Sequence, residues 1–216
     1  MRIAPHLQTV PTHTKQVFQK QGARIEYVYF LNGGVGSITT VLEAGTMVEA
    51  ATVGDEGMLG LEAFFEDDAI APGESMMQVP DTNAERMTVR AFRRELAEHG
   101  AFHHAVGRYA RLTIAQLMQS TACNAIHKVE ERCARWLLQT HDRMQRRDFQ
   151  LSHEFLAVML GVRRQSVGIV AGTLQKAGLI RYTRGHISVL NRAGLEDASC
   201  ECYHVLRRQF ERAYRA

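Results

Sequence analysis

The stretch that most constrains the fold is residues 151–190, where two short helical patterns precede a strand pair. Ser152 is a favourable N-cap for the first helix, and Gly161 interrupts the apolar pattern before a second helix starts. Gly178 ends that second helix, because glycine readily adopts the left-handed conformation of a C-terminal cap. The residues after it alternate around Arg184-Gly185, as in a two-stranded hairpin. This order predicts a helix-turn-helix followed by a wing.

The start of the second helix is rich in hydrogen-bond donors, at the position where a helix-turn-helix reaches base edges in the major groove. An ordinary helical hairpin packed in a core is the alternative, but it does not explain the basic residues at this start and at the hairpin tip. The pattern therefore favours binding to double-stranded DNA. We expect Arg164 to contact a base, Gln165 to read adenine or act more loosely, and Ser166 to hold phosphate. The full set of candidate DNA-binding residues is Arg163, Arg164, Gln165, Ser166, Ile169, Lys176, Arg184 and His186.

The run LAVMLGVRRQSVGIVAGTLQKAGLI, followed by ISVLNRAGL, resembles the DNA-binding domain of the Crp/Fnr superfamily of bacterial transcription regulators. The resemblance is strong over the last third of the chain and loose over the first. It implies an α+β fold with an N-terminal antiparallel β-roll of the cyclic-nucleotide-binding type over residues 1–100. A long dimerisation helix over 101–125 and a C-terminal winged helix-turn-helix over 126–216 follow. It also implies a homodimer that binds a palindromic promoter site, with RNA polymerase as a further partner.

Patterning alone shows an all-β region in the first half of the chain. From Ile25, short runs of strand-forming residues alternate with turns such as Asn32-Gly33-Gly34, which is typical of a sandwich or roll. Residues 1–20 are polar, and we expect them to lead into the fold rather than form a domain. We expect residues 66–85 to form a loop with one short strand, Ser75 to Val79.

The nucleotide pocket of the family has a recognisable but degraded counterpart. Members that bind cyclic nucleotides use a Gly-Glu pair and a downstream Arg-Ser pair, whereas Leu61 follows Gly60 here and Glu74 stands where the arginine is expected. An acid in that place repels phosphate, so cyclic AMP is not expected to bind. For Leu59, Leu61, Phe64 and Phe65, taken one at a time, a place in the plain roll core is favoured. A small-molecule effector stays unidentified; its candidate pocket is Gly60, Leu61, Glu62, Leu117 and Met118.

A long helix is predicted from about Ala101 to about Ala122. Its apolar residues cover more than one face, so it must bury more than one face, and the resemblance makes it the dimer seam. A single buried helix in a monomer is the alternative. The residues assigned to the dimer helix are Val106, Tyr109, Ala110, Thr113, Leu117, Ser120 and Thr121, and Leu112, Ile114, Ala115 and Met118 widen the stripe.

Three further elements complete the prediction. A second amphipathic helix is expected from Ile126 to Met144, with Trp136 in the core. A polar connection over residues 143–148 follows, which either lies near the DNA backbone or is solvated. A last helix from Leu195 to Tyr214 is expected to cover the winged domain.

Charge divides the chain into two unequal halves. Residues 1–125 carry 10 Lys/Arg against 14 Asp/Glu, a net of −4, and residues 126–216 carry 16 against 9, a net of +7. The basic half is the one expected to meet phosphate. The sequence has no long apolar run and no Walker, GxSxG or HExxH motif. We therefore expect a cytoplasmic, non-enzymatic protein with no membrane partner.

Cysteines and histidines give weak metal signals. There is no cysteine before Cys123, so an N-terminal iron–sulfur cluster lacks ligands. On a continuous helix Cys200 and Cys202 would point to different faces, so structural thiols are favoured over a metal or redox site. His99, His103 and His104 cluster, and His99 and His103 could share a helix face, but a solvated helix start is favoured over metal or haem. No cofactor is identified.

Overall fold

A computed structural model describes residues 3–144, 146 and 148–214. Within that part, the N-terminal half holds eight strands: β1 (Gln8–Pro11), β2 (Val17–Gln19), β3 (Tyr27–Leu31), β4 (Gly34–Val41), β5 (Met47–Val53), β6 (Met58–Leu59), β7 (Glu74–Pro80) and β8 (Asn83–Thr88). They form two antiparallel four-stranded sheets, in the orders β1-β8-β3-β6 and β2-β7-β4-β5. A short 3₁₀ helix, Ala4–His6, precedes the strands, and a second, Leu61–Phe64, lies between β6 and β7.

The two sheets enclose an apolar core. Val28 and Met87 come from one sheet and Val53 and Met77 from the other; each is at most 1 % exposed, and they belong to one cluster of buried side chains. Helix α1 (Val89–Leu96) closes this roll with the fully buried Phe92. Burying such side chains stabilises the roll by about 1.5–3 kcal/mol each.

The expectation that residues 1–20 merely lead into the fold is wrong. Strand β1 pairs with β8 in one sheet, and strand β2 pairs with β7 in the other. Both strands lie at sheet edges, where short strands and proline are tolerated because one side of the backbone needs no strand partner. Their shortness and the proline at Pro11 conceal them in the sequence.

The long helix is α2 (Ala101–Ile126), which continues about one turn beyond the predicted end. His127 and Lys128 are extended and form a two-residue link to α3 (Val129–Arg143). Lys128 is also the N-cap of α3, and its backbone N–H donates to Glu131 Oε2 at 3.0 Å. Helices α2 and α3 are therefore two separate helices joined by this extended link.

The C-terminal part contains the predicted helix pair and wing, with two differences. The wing has a third strand, β9 (Asp148–Gln150), in the order β10-β11-β9, and the last helix is broken in two. Ser199 Oγ donates to the Glu196 carbonyl at 2.8 Å, so a side chain bonds to a carbonyl of the last turn where the first of the two helices ends. The remaining elements are α4 (His153–Leu160), α5 (Arg164–Lys176), β10 (Ile180–Thr183), β11 (His186–Val189), α6 (Arg192–Asp197) and α7 (Cys202–Tyr214).

No helix of the described residues is by itself long and apolar enough to cross a membrane. The pair α4 and α5 reaches that length and composition only together, across a bend of 100°.

The roll and the C-terminal part share buried polar contacts. Trp136 of α3, 1 % exposed, donates its indole N–H to Glu49 Oε1 of β5 at 2.9 Å. Ser37 also donates to Glu49, and Gln78 Nε2 does so at 3.2 Å. Trp136 is thus core, as predicted, but its polar edge joins the two halves of the chain.

The polar connection predicted over residues 143–148 faces the roll where the structure describes it. Arg143 forms a paired contact with Glu56, with its Nη2 at 2.6 Å and its Nε at 3.0 Å from Glu56 Oε1. Arg146 Nε lies 3.2 Å from Asp81 Oδ1. The assignment of Arg143 to DNA or solvent is therefore wrong, because its guanidinium is committed to a roll carboxylate. Gln145 and Arg147 lie outside the described residues.

We predict that Glu49 makes the stability of the protein depend on pH. Burial raises the pKa of Glu49 to about 7 from an unfolded value of 4.5, against the opposing hydrogen bonds and the charges of Arg135 and Arg143. The folded state then holds a proton that the unfolded state loses, so the free energy of unfolding falls as pH rises from 4.5 through 7. The two pKa values set an upper bound of about 3 kcal/mol on this effect.

Chemical denaturation of the wild type and of Glu49→Gln between pH 5 and 8 checks this prediction. The variant should lose the decline in stability, because glutamine does not titrate. It should also stay folded, because Gln78 Oε1 has no partner among the described residues and can accept from the new amide after an amide flip. Glu43→Gln, in an exposed turn, is the matched control. Equal pH profiles for wild type and Glu49→Gln would refute the assignment.

Candidate nucleic-acid interface

Helices α4 and α5 meet at 100°, which is within the range of a helix-turn-helix. Ser152 caps α4 as predicted, its Oγ accepting from the Phe155 N–H at 3.1 Å. Gly161 ends α4 with φ +62°, and the Val162 N–H then reaches back to the Ala157 carbonyl at 3.0 Å. The turn therefore depends on a left-handed residue, which explains the glycine there.

One face of α5 is anchored in the C-terminal core. Val167, Val170 and Leu174 are 0, 3 and 4 % exposed, and they belong to the cluster that contains Trp136. The opposite face is consequently directed outward, and Ile169 on that face is 70 % exposed. An apolar side chain this exposed on a basic helix is available for contact with a partner.

The predicted DNA-binding residues are on the surface. Ser166 is half-buried, and the other seven are exposed: Arg163, Arg164, Gln165, Ile169, Lys176, Arg184 and His186. Lys176 stands apart from the rest of α5, since twelve residues of helix place it about 18 Å from Arg164. The first turns of α5 therefore form the compact part of the candidate interface.

The wing is a tight hairpin. Thr183 pairs with His186, which leaves Arg184 and Gly185 as a two-residue loop with φ of +50° and +81°. Two successive positive φ values match the turn that best suits the twist of a hairpin. Its tip is held beside the start of α4, because the Leu151 N–H donates to the Gly185 carbonyl at 2.7 Å.

His153 supports this arrangement and is not among the predicted site residues. Its ring stacks on Tyr182 of the wing at 4.5 Å, with 19° between the planes. Tyr182 in turn donates its hydroxyl to the Leu151 carbonyl at 3.0 Å. Burial, and then the charge of Arg164, lower the pKa of His153, so the neutral imidazole is favoured beside the basic surface. A stacking partner on a distant strand leaves no periodic signal in the sequence.

Helix α2 presents two different faces. Of the residues assigned to the dimer seam, Val106, Tyr109, Ala110, Thr113 and Ser120 are at most 8 % exposed within a single chain, so they pack inside the protomer. Leu117 and Thr121 are exposed. The outward apolar residues are Ile114, Leu117, Met118 and Ile126, with exposures of 53, 37, 70 and 79 %. The outward apolar face of α2 therefore shares only Leu117 with the predicted dimer stripe, and it adds Ile114 and Met118 from the residues that widen the stripe.

The structure does not bring the candidate effector pocket together. Leu117 and Met118 are exposed on α2, and Gln116 beside them donates to the Thr52 carbonyl at 3.1 Å, whereas Gly60 and Leu61 are buried. Glu62 is half-buried, and burial raises its pKa.

The space between Gly60 and Ser75 is taken by Gln19. Ser75 Oγ donates to Gln19 Oε1 at 2.9 Å, and Gln19 Nε2 donates to the Tyr27 carbonyl at 3.2 Å. A Cβ at Gly60 would lie 2.4 Å from Gln19 Nε2. The serine hydroxyl that could face a phosphate is thus already paired with a side chain from β2.

The histidine cluster at the start of α2 does not form a convergent ligand set. The rings of His99 and His103 are 4.8 Å apart, and His103 Nδ1 lies 3.2 Å from the Leu96 carbonyl. Among the residues that the structure describes, a group of at least three metal-ligating side chains converges elsewhere, at Cys123, His127, Cys200 and Cys202. The Cys123–His127 pair has the same four-residue spacing as His99 and His103.

Comparison with known proteins agrees with this geometry. Residues 131–198 match the Crp-like helix-turn-helix domain family. These residues form a Crp-like helix-turn-helix domain. No curated protein sequence matches the chain.

Several solved structures share the fold over most of the chain. The transcriptional regulator TTHB099 of the CRP family from Thermus thermophilus aligns with a TM-score of 0.71 and 21 % identity, over 89 % of this chain and 96 % of that one. FixK2 from Bradyrhizobium japonicum aligns with 0.76 and 15 %, over 90 % and 98 %. The regulator CLP from Xanthomonas campestris, described as c-di-GMP responsive, aligns with 0.66 and 16 %, over 85 % and 93 %.

The chain therefore shares the fold of these solved structures, and its residues 131–198 form a Crp-like helix-turn-helix domain. The superfamily resemblance and the fold class predicted from the sequence are confirmed. The domain boundaries and the individual site residues stay predictions.

We predict that Gly161→Ala weakens the helix-turn-helix by about 1–2 kcal/mol, because the substitution forces a Cβ into the left-handed region. Gly172→Ala, inside α5 with open space around the added methyl, is the matched control and should stabilise the domain by up to about 1 kcal/mol. Urea unfolding followed by circular dichroism measures both. Equal signs for the two variants would contradict the role of Gly161.

Proposed function

We propose that the protein is a DNA-binding transcription regulator that binds a palindromic duplex site as a homodimer. The observation that carries this proposal is the exposed basic start of α5, held at 100° to α4 within a Crp-like helix-turn-helix domain. An exposed recognition helix beside a basic wing suits a major groove with phosphates on its rim. The net charge of +7 over residues 126–216 adds the long-range attraction to DNA.

Dimerisation is supported by the outward face of α2. Ile114, Leu117, Met118 and Ile126 are apolar and exposed along one helix, and Ala122 between them is small enough for close approach. Two α2 helices packed on this face would place two copies of α5 for half-sites one helical turn, about 34 Å, apart. We propose RNA polymerase as a further partner of the protein.

An effector is not required by the proposed binding mode. Gln19 occupies the space between Gly60 and Ser75, and Glu74 stands in place of the arginine. The expectation that cyclic AMP does not bind stays a prediction, and the pairing of Ser75 with Gln19 gives it a physical reason.

The main test is selection of bound fragments from random duplex DNA by the purified, ligand-free protein at physiological salt. We expect enrichment of a palindrome whose half-sites are one helical turn apart. Affinity for the selected site should fall steeply with added salt, since phosphate contacts release counterions. No enrichment, with or without host extract, would contradict the proposal.

We predict that Arg164→Ala costs about 1–3 kcal/mol at the selected site and relaxes the preference at one base position. Arginine reads guanine through two parallel hydrogen bonds, which alanine cannot replace. Lys176→Ala is the matched control and should weaken all sequences alike, because we assign Lys176 to phosphate. Fluorescence anisotropy on the selected site and on single-base variants measures this. Uniform weakening by Arg164→Ala would reassign Arg164 to phosphate.

We predict that Met118→Asp converts the dimer to a monomer, because it places a charge in the apolar face of α2. The side chain is 70 % exposed in the single chain, so the protomer should stay folded. Leu42→Asp, at another exposed apolar position, is the control and should leave the dimer intact. Analytical ultracentrifugation distinguishes the two. A dimeric Met118→Asp variant would exclude this face as the seam.

A further inference from the structure

Four side chains with metal-binding atoms meet where α2 ends and α7 begins. The ligand atoms of Cys123, His127, Cys200 and Cys202 all lie within 4.8 Å of one another. The three cysteines are at most 4 % exposed and form a cluster separate from the two apolar cores. The side chain of His127 is 17 % exposed, so the group is closed on one side and reachable on the other.

The fold assembles this group from two breaks in helical structure. Cys123 lies in the last turn of α2, and His127, four residues later, is the extended residue that ends the helix. Cys200 lies in the turn between α6 and α7, and Cys202 is the first residue of α7. Because Cys200 is outside the helix, the expectation that the two thiols point apart is wrong.

The distances suit a tetrahedral ion. Zinc binds sulfur at about 2.3 Å and imidazole nitrogen at about 2.0–2.1 Å, so a regular tetrahedron places two sulfurs about 3.8 Å apart and a sulfur and a nitrogen about 3.6 Å apart. Here the Sγ atoms of Cys123 and Cys200 are 3.5 Å apart, and Cys202 Sγ lies 3.6 Å from His127 Nδ1. A disulfide would need a much shorter separation of about 2.05 Å.

The surroundings also suit a bound cation with thiolate ligands. His127 directs Nδ1 at the thiols and holds Nε2 3.1 Å from Glu201 Oε2, the carboxylate–histidine arrangement that orients a metal-binding imidazole. Gln119 Nε2 donates to Cys202 Sγ at 3.0 Å. In both cases the atom that would bind the ion, His127 Nδ1 or Cys202 Sγ, keeps a lone pair for it.

The fourth cysteine of the chain, Cys133, lies apart from this group. It is fully buried in the apolar cluster that contains Trp136, and it is not one of the four converging side chains. Cys133 is therefore an ordinary buried thiol and serves as the matched comparison for the site.

We propose that Cys123, His127, Cys200 and Cys202 bind one zinc ion per chain. Three thiolates and one imidazole fill a tetrahedron, which is typical of a structural rather than a catalytic zinc. The ion would join the end of α2 to the start of α7 across the two-residue link His127–Lys128. It would thereby brace the attachment of the C-terminal domain to the long helix.

The test is metal analysis of the full-length protein purified under reducing conditions, after metal removal and reloading with zinc. We expect one zinc per chain, and cobalt in its place should give the absorption of a tetrahedral thiolate complex. Cys200→Ala and His127→Ala should lose the stoichiometric ion. Cys133→Ala, which removes an equally buried thiol, should retain it.

Circular dichroism checks that each variant is folded. The exposed Glu201→Gln variant leaves all four ligands in place, so it still tests the site if a ligand variant misfolds. Its side chain is 73 % exposed, and we expect zinc affinity to fall about 10–100-fold with the fold intact.

Chelation should lower the melting temperature of the wild type but not that of folded His127→Ala. Absence of zinc from the reduced, reloaded protein, or equal zinc content in the wild type and Cys200→Ala, would overturn the site. Iron with acid-labile sulfide in place of zinc would overturn the assignment of the metal. None of these measurements requires DNA, so their outcome is independent of the proposed regulation.

Discussion

The architecture depends on α2 being buried along one face only. Its inward face, which includes Val106, Tyr109 and Thr113, packs within the chain, while Gln116 bonds to Thr52 on β5. The roll is therefore attached to this helix along its length, and the C-terminal part is attached at its end. Further contacts between the halves, including Glu49 with Trp136 and Arg143 with Glu56, join the C-terminal part directly to the roll.

The contacts between the two halves combine apolar packing with buried polar bonds, since Val35 and Val79 of the roll belong to the apolar cluster that contains Trp136. The buried Glu49 carboxyl group accepts hydrogen bonds from Ser37, Gln78 and Trp136. These bonds fix the relative position of the two halves more strictly than apolar packing does, because each buried donor must keep its acceptor. Arg143 joins Glu56 with a planar fork that likewise admits one orientation. The C-terminal domain is thus positioned on the roll by direction-dependent bonds.

Local signals predicted the helix-turn-helix well. Ser152, Gly161 and the Arg184-Gly185 turn each act through their own backbone, so residue type alone reveals their conformation. The strands at residues 8–11 and 17–19 escaped prediction because their pairing partners lie about sixty to eighty positions away along the chain. Periodicity alone could not separate the two apolar faces of α2, because it shows an apolar stripe without showing which face a single chain covers. The approach of Cys200 to Cys202 escaped prediction because Cys200 lies in the break between α6 and α7, which leaves little trace in the apolar pattern.

The position of Gln19 has a consequence for how a regulator of this shape could acquire a ligand. Its amide joins β2 to Ser75 and leaves no room for a side chain at Gly60, so three separate segments share one small volume. Removing the Gln19 side chain alone would deprive the buried Ser75 hydroxyl of its acceptor. A small molecule that entered this volume would therefore have to accept that hydrogen bond in place of Gln19.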